Sequence, residues 1–182
     1  MRLRIISGEL KGRMLNVTLK DERFRPTLER TRESVSEILK KKITGAIVAD
    51  MCAGSGAMGF EMLSRGASRV DFYEKDKKVA DQIYKNGVQL GVEDRVRVYR
   101  EDIQKLFSTS RRYSIIFYDP PYDNEILATL VPRMFEHLLE SGILVYERRR
   151  LKGEKTAPAP QSKENLWDSR IYSSSVIEFY KI

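Results

Sequence analysis

From residue 46 to residue 147 the chain alternates between short apolar runs and stretches whose apolar positions recur at helical spacing. Runs at 46–51, 69–74, 95–99, 113–119 and 142–147 have the length and composition of buried strands, while 56–65, 77–90 and 125–139 have those of helices. Strands joined by helices pair in parallel, and a parallel sheet needs helices over both faces. The pattern therefore predicts an α/β fold with a mostly parallel sheet between two helical layers. Two further runs, 167–172 and 176–180, are too close together for an intervening helix and predict a closing hairpin, so the last strand of a seven-stranded sheet runs antiparallel. Residues 148–164 carry Arg148-Arg149-Arg150 and Pro158-Ala159-Pro160 without periodicity and read as a polar loop.

A different pattern precedes the alternation. Residues 2–6 interleave basic and apolar side chains at period two, 7–12 offer turn chemistry, and 13–17 form a second short run, which predicts a basic β-hairpin. Pro26-Thr27 then opens a predicted helix over 28–42 that stops at Gly45. The expected organisation is an extension, 1–45, ahead of a core domain, 46–182. Of the net charge of +7, the first 45 residues supply +6, from twelve Lys/Arg against six Asp/Glu. A cationic face so localised is the footprint of a polyanion-binding surface.

Composition excludes other classes. No apolar run reaches the length of a membrane span, and the charges in Met-Arg-Leu-Arg-Ile-Ile break what a signal peptide would need, so a cytoplasmic protein is expected. One cysteine, Cys52, and one histidine, His137, leave no Cys/His metal cluster, and no metal is expected.

The segment from Asp50 to Gly59 joins the first core strand to its helix, and Gly54, Gly56 and Gly59 satisfy G-x-G-x-x-G. Glu74 ends the next strand, as in a dinucleotide fingerprint. Asp50 argues against a dinucleotide, because a fixed negative charge at the strand tip repels a pyrophosphate and suits a cationic ligand. S-adenosylmethionine, with its sulfonium and amino group, is such a ligand. Glu74 would take its ribose hydroxyls and Asp102, after the third strand, its adenine edge.

The fourth strand ends in Asp119-Pro120-Pro121-Tyr122. Consecutive prolines fix φ and remove ladder donors, so the strand must stop at a stiff corner. At the tip of a strand beside a methyl donor, Asp119 and the Pro120 carbonyl would each accept a hydrogen bond from an exocyclic NH₂, aiming the nitrogen lone pair, while Tyr122 offers a face on which a base stacks. Cys52 lies within the cofactor loop, where a small buried side chain explains it better than a thiolate nucleophile does. His137 reads as a partner for a helix C-terminus, and Phe117, Tyr118 and Trp167 as core.

With these residues the chain resembles the Rossmann-like class I methyltransferases that act on exocyclic amines. More narrowly, it resembles the bacterial 16S ribosomal RNA guanine-N2 methyltransferases, through Arg4 to Gly8, Lys11-Gly12-Arg13, Arg25-Pro26-Thr27, Arg30, Arg32-Glu33, Asp50 to Gly59, Glu74-Lys75 and Asp119 to Tyr122. The resemblance implies S-adenosylmethionine bound at Asp50, Gly54, Gly56, Glu74, Asp102 and Asp119, and target-amine handling at Asp119, Pro120, Pro121 and Tyr122. It implies RNA contact by Arg2, Arg4, Lys11, Arg13, Arg25 and Arg30. The partner would be ribosomal RNA, free or within an assembling 30S subunit, met by a monomer. The chain departs from relatives at Glu147-Arg148, where many carry histidine after the glutamate, and at Tyr172-Ser173, where Tyr-Gly is common. The clamp itself recognises an amine on a flat ring, so adenine N6 in DNA or RNA, a protein glutamine amide, and a non-catalytic RNA-binding assembly role remain as rivals.

Overall fold

A small hairpin of β1 (Arg2–Arg4) and β2 (Met14–Asn16) precedes a sheet of β3 (Ile47–Met51), β4 (Arg69–Tyr73), β5 (Val96–Tyr99), β6 (Tyr113–Tyr118), β7 (Leu138–Arg149), β8 (Leu166–Tyr172) and β9 (Ser175–Lys181). The computed structural model describes residues 1–18, 29–121, 127, 129–158 and 163–182. The seven strands lie in the order β5-β4-β3-β6-β7-β9-β8, with β3 to β7 parallel and β9 antiparallel to both its neighbours. The order reverses between β3 and β6, which places the crevice of an open α/β sheet beyond the carboxyl ends of those two strands.

Successive strand residues face opposite sides, and both sides are apolar here. Val48, Val70, Phe72, Phe117 and Val145 pack under the hairpin, α1 (Glu29–Ile38), α3 (Ala57–Ser64) and α4 (Lys77–Leu90). Ala49, Tyr73, Ile116, Tyr118 and Leu144 pack against Leu106, Leu130 and Met134 on the other side. Between α1 and β3 a short α2 (Lys40–Ile43) follows a break at Leu39 in the stretch predicted as one helix.

The extension shares this core. Leu3, Ile5, Leu10, Leu15 and Val17 join the same apolar cluster as Phe60 and Met62 of α3. Its polar anchor is Glu61, fully buried on α3, whose carboxylate accepts the Ile6 N–H at 2.9 Å, the Ser7 N–H at 3.1 Å and Arg65 Nε at 3.0 Å. A buried carboxylate is tolerated only when so fully hydrogen-bonded, so Glu61 fixes where the hairpin sits.

Three expectations need correcting. The helix over 125–139 overruns: a short α5 (Val131–Met134) and a 3-10 turn over Phe135–His137 lead directly into β7, because Leu138 and Leu139 begin the strand, while 125, 126 and 128 lie outside the described residues. His137 therefore ends no long helix; it is buried, with Nδ1 at 2.8 Å from the Arg111 carbonyl oxygen. Trp167 is exposed on the edge strand β8, resting one ring edge on Phe179.

Gly59 shows how tightly α3 sits on the sheet. A Cβ there would lie 2.3 Å from the Phe72 ring and 2.9 Å from Val70, both fully buried. Gly59→Ala is expected to destabilise the protein by about 1–3 kcal/mol through overpacking. The check is the denaturant midpoint, and an unchanged value would show that α3 shifts freely on β4.

Candidate active site

Asp50 lies opposite Phe72 on β4 and Phe117 on β6, so all three share one face of the sheet. Met51, Tyr73, Tyr118 and Tyr146 form the last paired row across β4-β3-β6-β7. The next residues along β4, β6 and β7 are Glu74, Asp119 and Glu147, while Cys52, at φ of +59°, leaves the strand alternation and packs with Met51, Tyr73 and Tyr118 on the other side. The alternation that builds the core thus delivers three carboxylates to one edge, two residues beyond a fourth, Asp50.

Asp50 is buried, and its Oδ2 accepts the Gly59 N–H at 3.0 Å, capping the first turn of α3. Burial pushes its carboxyl up to about 7, helped by the charge of Glu74 and opposed by the Gly59 hydrogen bond. Gly54 and Gly56 have φ of +53° and +71°, so the loop turns where only glycine is unstrained. Glu74 accepts the Gly54 N–H at 3.0 Å with Oε2 and the Asp76 N–H at 2.9 Å with Oε1, which holds its carboxylate against the loop. Each oxygen keeps a second lone pair, the acceptor pattern a ribose diol requires. Asp102 is exposed beyond β5 and its Oδ1 accepts the Gln104 N–H at 2.9 Å, so it caps a 3-10 turn with one oxygen and presents the other.

The four acids converge. Burial raises the Cys52 thiol well above its ordinary value, and Glu74, Asp119, Asp50 and Asp102 all add to the effect. The thiol therefore stays protonated and is no nucleophile. Among the described residues none of Asp50, Glu74, Asp102 and Asp119 pairs with lysine or arginine. A crevice lined by carboxylates fits a sulfonium and an ammonium group. The donors present thus suit S-adenosylmethionine, with Asp50, Gly54, Gly56, Glu74 and Asp102 as the residues that would hold it.

Asp119 sits in the open mouth of the crevice, reached by water yet packed about by protein atoms. Desolvation raises its carboxyl well above the ordinary range, with Glu147 and then Asp50 adding to the rise. Pro120 is buried and Pro121 exposed. The Tyr118 hydroxyl donates to the Leu127 carbonyl at 2.6 Å, tying the chain beyond the corner back to β6. Tyr122 lies outside the described residues.

Of the expected RNA-contacting residues, Arg2, Arg4, Lys11, Arg13 and Arg30 are all exposed and Arg25 lies outside the described residues. Arg4 pairs loosely with Glu29 at 3.4 Å, and Arg13 donates to the Gln89 carbonyl at 3.1 Å. Lys11 occupies the hairpin turn, which docks on Ser64 at the C-terminal end of α3, roughly a helix length from the glycine loop. At the other end of the hairpin, Asn16, Val17 and Thr18 border a shallow depression shared with Gly54, Ser55 and α4.

A sheet reversing between β3 and β6, with a glycine loop, an acid on the next strand tip and a D-P-P corner, defines a class I S-adenosylmethionine-dependent methyltransferase. The chain belongs to the family described as conserved hypothetical protein 95, whose pattern it matches over residues 3–181. It is 34% identical over 149 residues to ribosomal RNA small subunit methyltransferase D of Haemophilus influenzae, covering 79% of this chain and 77% of that protein. A solved Escherichia coli structure named as a methyltransferase superposes with a TM-score of 0.84 at 27% identity, covering 100% of this chain and 98% of that one. The RNA methyltransferase from Salinibacter ruber, solved with S-adenosyl-L-homocysteine, shares the fold at a TM-score of 0.65 and 18% identity, over 86% of this chain and 93% of its own.

Glu61 carries a structural role, and Glu147 a place beside Asp119, that the sequence patterns do not assign. Glu61 had a signal, as a lone acid between Phe60 and Met62 on an apolar helix. Glu147 had one as the acid that closes the apolar run 142–147.

Proposed function

We propose that this chain is an S-adenosylmethionine-dependent ribosomal RNA methyltransferase that modifies the exocyclic N2 amine of a guanine in the small-subunit RNA. The observation that carries the reading is Asp119 at the tip of β6, across the switch point from Asp50 and on the same face of the sheet. Kinship with a ribosomal RNA small subunit methyltransferase supports the substrate class.

The bound cofactor supplies an electrophilic methyl group. Asp50 holds negative charge at the cationic part of the site and so favours its binding over that of a neutral analogue, while Glu74 accepts from the ribose hydroxyls. Asp119 accepts a hydrogen bond from the amine and the Pro120 carbonyl a second, which draws the nitrogen lone pair out of conjugation and aims it. Formation of the new N–C bond leaves a surplus proton on nitrogen. Asp119, with its raised proton affinity, is placed to take that proton and pass it to water in the crevice mouth.

The test is transfer of a labelled methyl group to small-subunit RNA, offered naked and as undermodified 30S particles, followed by nucleoside analysis. N2-methylguanosine is expected. N6-methyladenosine would move the target to another base in the same clamp, and no transfer to either form, with cofactor bound, would overturn the reading.

A further inference from the structure

β7 runs parallel to β6, so its carboxyl end opens onto the same edge as Asp119, and the chain there enters a strongly basic segment. Residues 148–158 hold five cations, Arg148, Arg149, Arg150, Lys152 and Lys155, against one acid, Glu154. The acid is already engaged. Arg148 clamps both Glu154 oxygens, at 2.7 and 3.0 Å, and donates through Nε to Glu178 at 2.9 Å. Glu178 is fully buried on β9 and also accepts from Lys163 at 2.7 Å. Paired on two sides in this way, Arg148 is a staple between sheet and loop.

The loop so held has a defined shape. Leu151 N–H donates to Glu154 Oε2 at 2.9 Å, Glu154 N–H returns to the Leu151 carbonyl at 3.1 Å, and Gly153 adopts φ of +84°, which together make a tight turn of the type that needs glycine third. Arg150 N–H anchors the start of the loop on the Ser174 carbonyl at 2.8 Å. Lys152 therefore projects from the corner of the turn and Lys155 from just beyond it. Both are exposed, and among the described residues neither pairs with a carboxylate. Arg149 is exposed on the same strand face as Glu147, two residues further out.

We propose that this stapled loop is a second RNA-contacting surface, on the opposite side of the D-P-P corner from the glycine loop, in which Lys152 and Lys155 meet phosphates flanking the target nucleotide. The inference rests on the ribosomal RNA reading above. Rigid placement matters because a cation held in position binds phosphate without first losing side-chain and loop freedom. The staple uses the one acid of residues 148–158 internally, so Lys152 and Lys155 face outward with no carboxylate paired to them among the described residues.

The experiment is equilibrium binding of a transcribed small-subunit RNA fragment to the full chain across a salt series, with methyl transfer measured in parallel. Lys152→Glu combined with Lys155→Glu is expected to weaken RNA binding about tenfold or more at low salt. It should reduce the slope of log affinity against log salt by about 1.5, the loss of two phosphate contacts. Cofactor affinity and melting temperature should not change, since both side chains are exposed. Lys152→Arg with Lys155→Arg should keep affinity and slope at the wild-type values. Unchanged affinity and slope in the charge-reversed protein would overturn the proposal. Wild-type binding that depends on these lysines without any methyl transfer would support it and count against the functional reading instead.

Discussion

Asp119→Ala is expected to lower kcat by about 10³-fold or more while leaving S-adenosylmethionine affinity within about threefold. The split follows from where the residue sits. Asp119 neighbours Glu147 and Asp50 at the mouth of the crevice, whereas the glycine loop is held by Glu74 and by the Asp50 cap on Gly59. In the proposed reaction Asp119 is the group that orients and deprotonates the amine, and its removal leaves the Glu74–Gly54 and Asp50–Gly59 hydrogen bonds of the loop intact. Asp119→Asn keeps an acceptor oxygen and loses the proton sink, so its kcat should fall between the two. Calorimetric titration with cofactor and single-turnover methyl transfer at saturating RNA separate the two effects. A cofactor affinity reduced in proportion to kcat would move Asp119 from the amine clamp to the cofactor site.

The core could be read from the sequence because its signals are local. Each strand of the parallel sheet is built on a short apolar run, as in Ile115-Ile116-Phe117-Tyr118. The helix over 77–90 matches α4 to the residue, because Asp76 caps it and Gly91 closes it in a left-handed turn. Glu74 and Asp119 stood out for the same reason: the residue after a buried strand comes to the sheet edge whatever the rest of the chain does, and Asp50 is an acid inside such a strand, one residue from its end.

What escaped depends on contacts distant in sequence. Glu61 meets Ile6 and Ser7 more than fifty residues away, and nothing near any of them shows that the hairpin folds into the core domain. Arg148 and Glu178 are neighbours only because β9 returns antiparallel beside β7. A run of three arginines looks like solvated loop until Glu154 and Glu178 are seen to take the first of them. Leu138 and Leu139 fit a helix as well as a strand, and only the pairing of Leu138 with Tyr113 decides between them.

Asp50→Asn should raise the stability of the ligand-free protein and weaken cofactor binding together. The carboxyl has an ordinary value of 3.8 and is pushed to about 7 in the folded chain. A raised acid binds its proton more tightly when folded than when unfolded, so ionising it costs stability above about pH 7, an order of about 4 kcal/mol. The cost shrinks as pH falls through 7 and vanishes below about 4, where both states are protonated. Asparagine keeps an acceptor for the Gly59 N–H and never pays it, so at pH 8 the variant should melt several degrees higher. The same ionisation should set the pH dependence of binding. A sulfonium ligand draws the charged form, so between about pH 7 and pH 5 wild-type affinity should fall by up to about tenfold per pH unit, while in the variant it should be weaker at pH 8 and nearly flat below. Wild-type affinity that stays level across that range would remove Asp50 from the cationic end of the site. A variant that melts lower at pH 8 would mean instead that the cap on α3 contributes more than the buried charge costs.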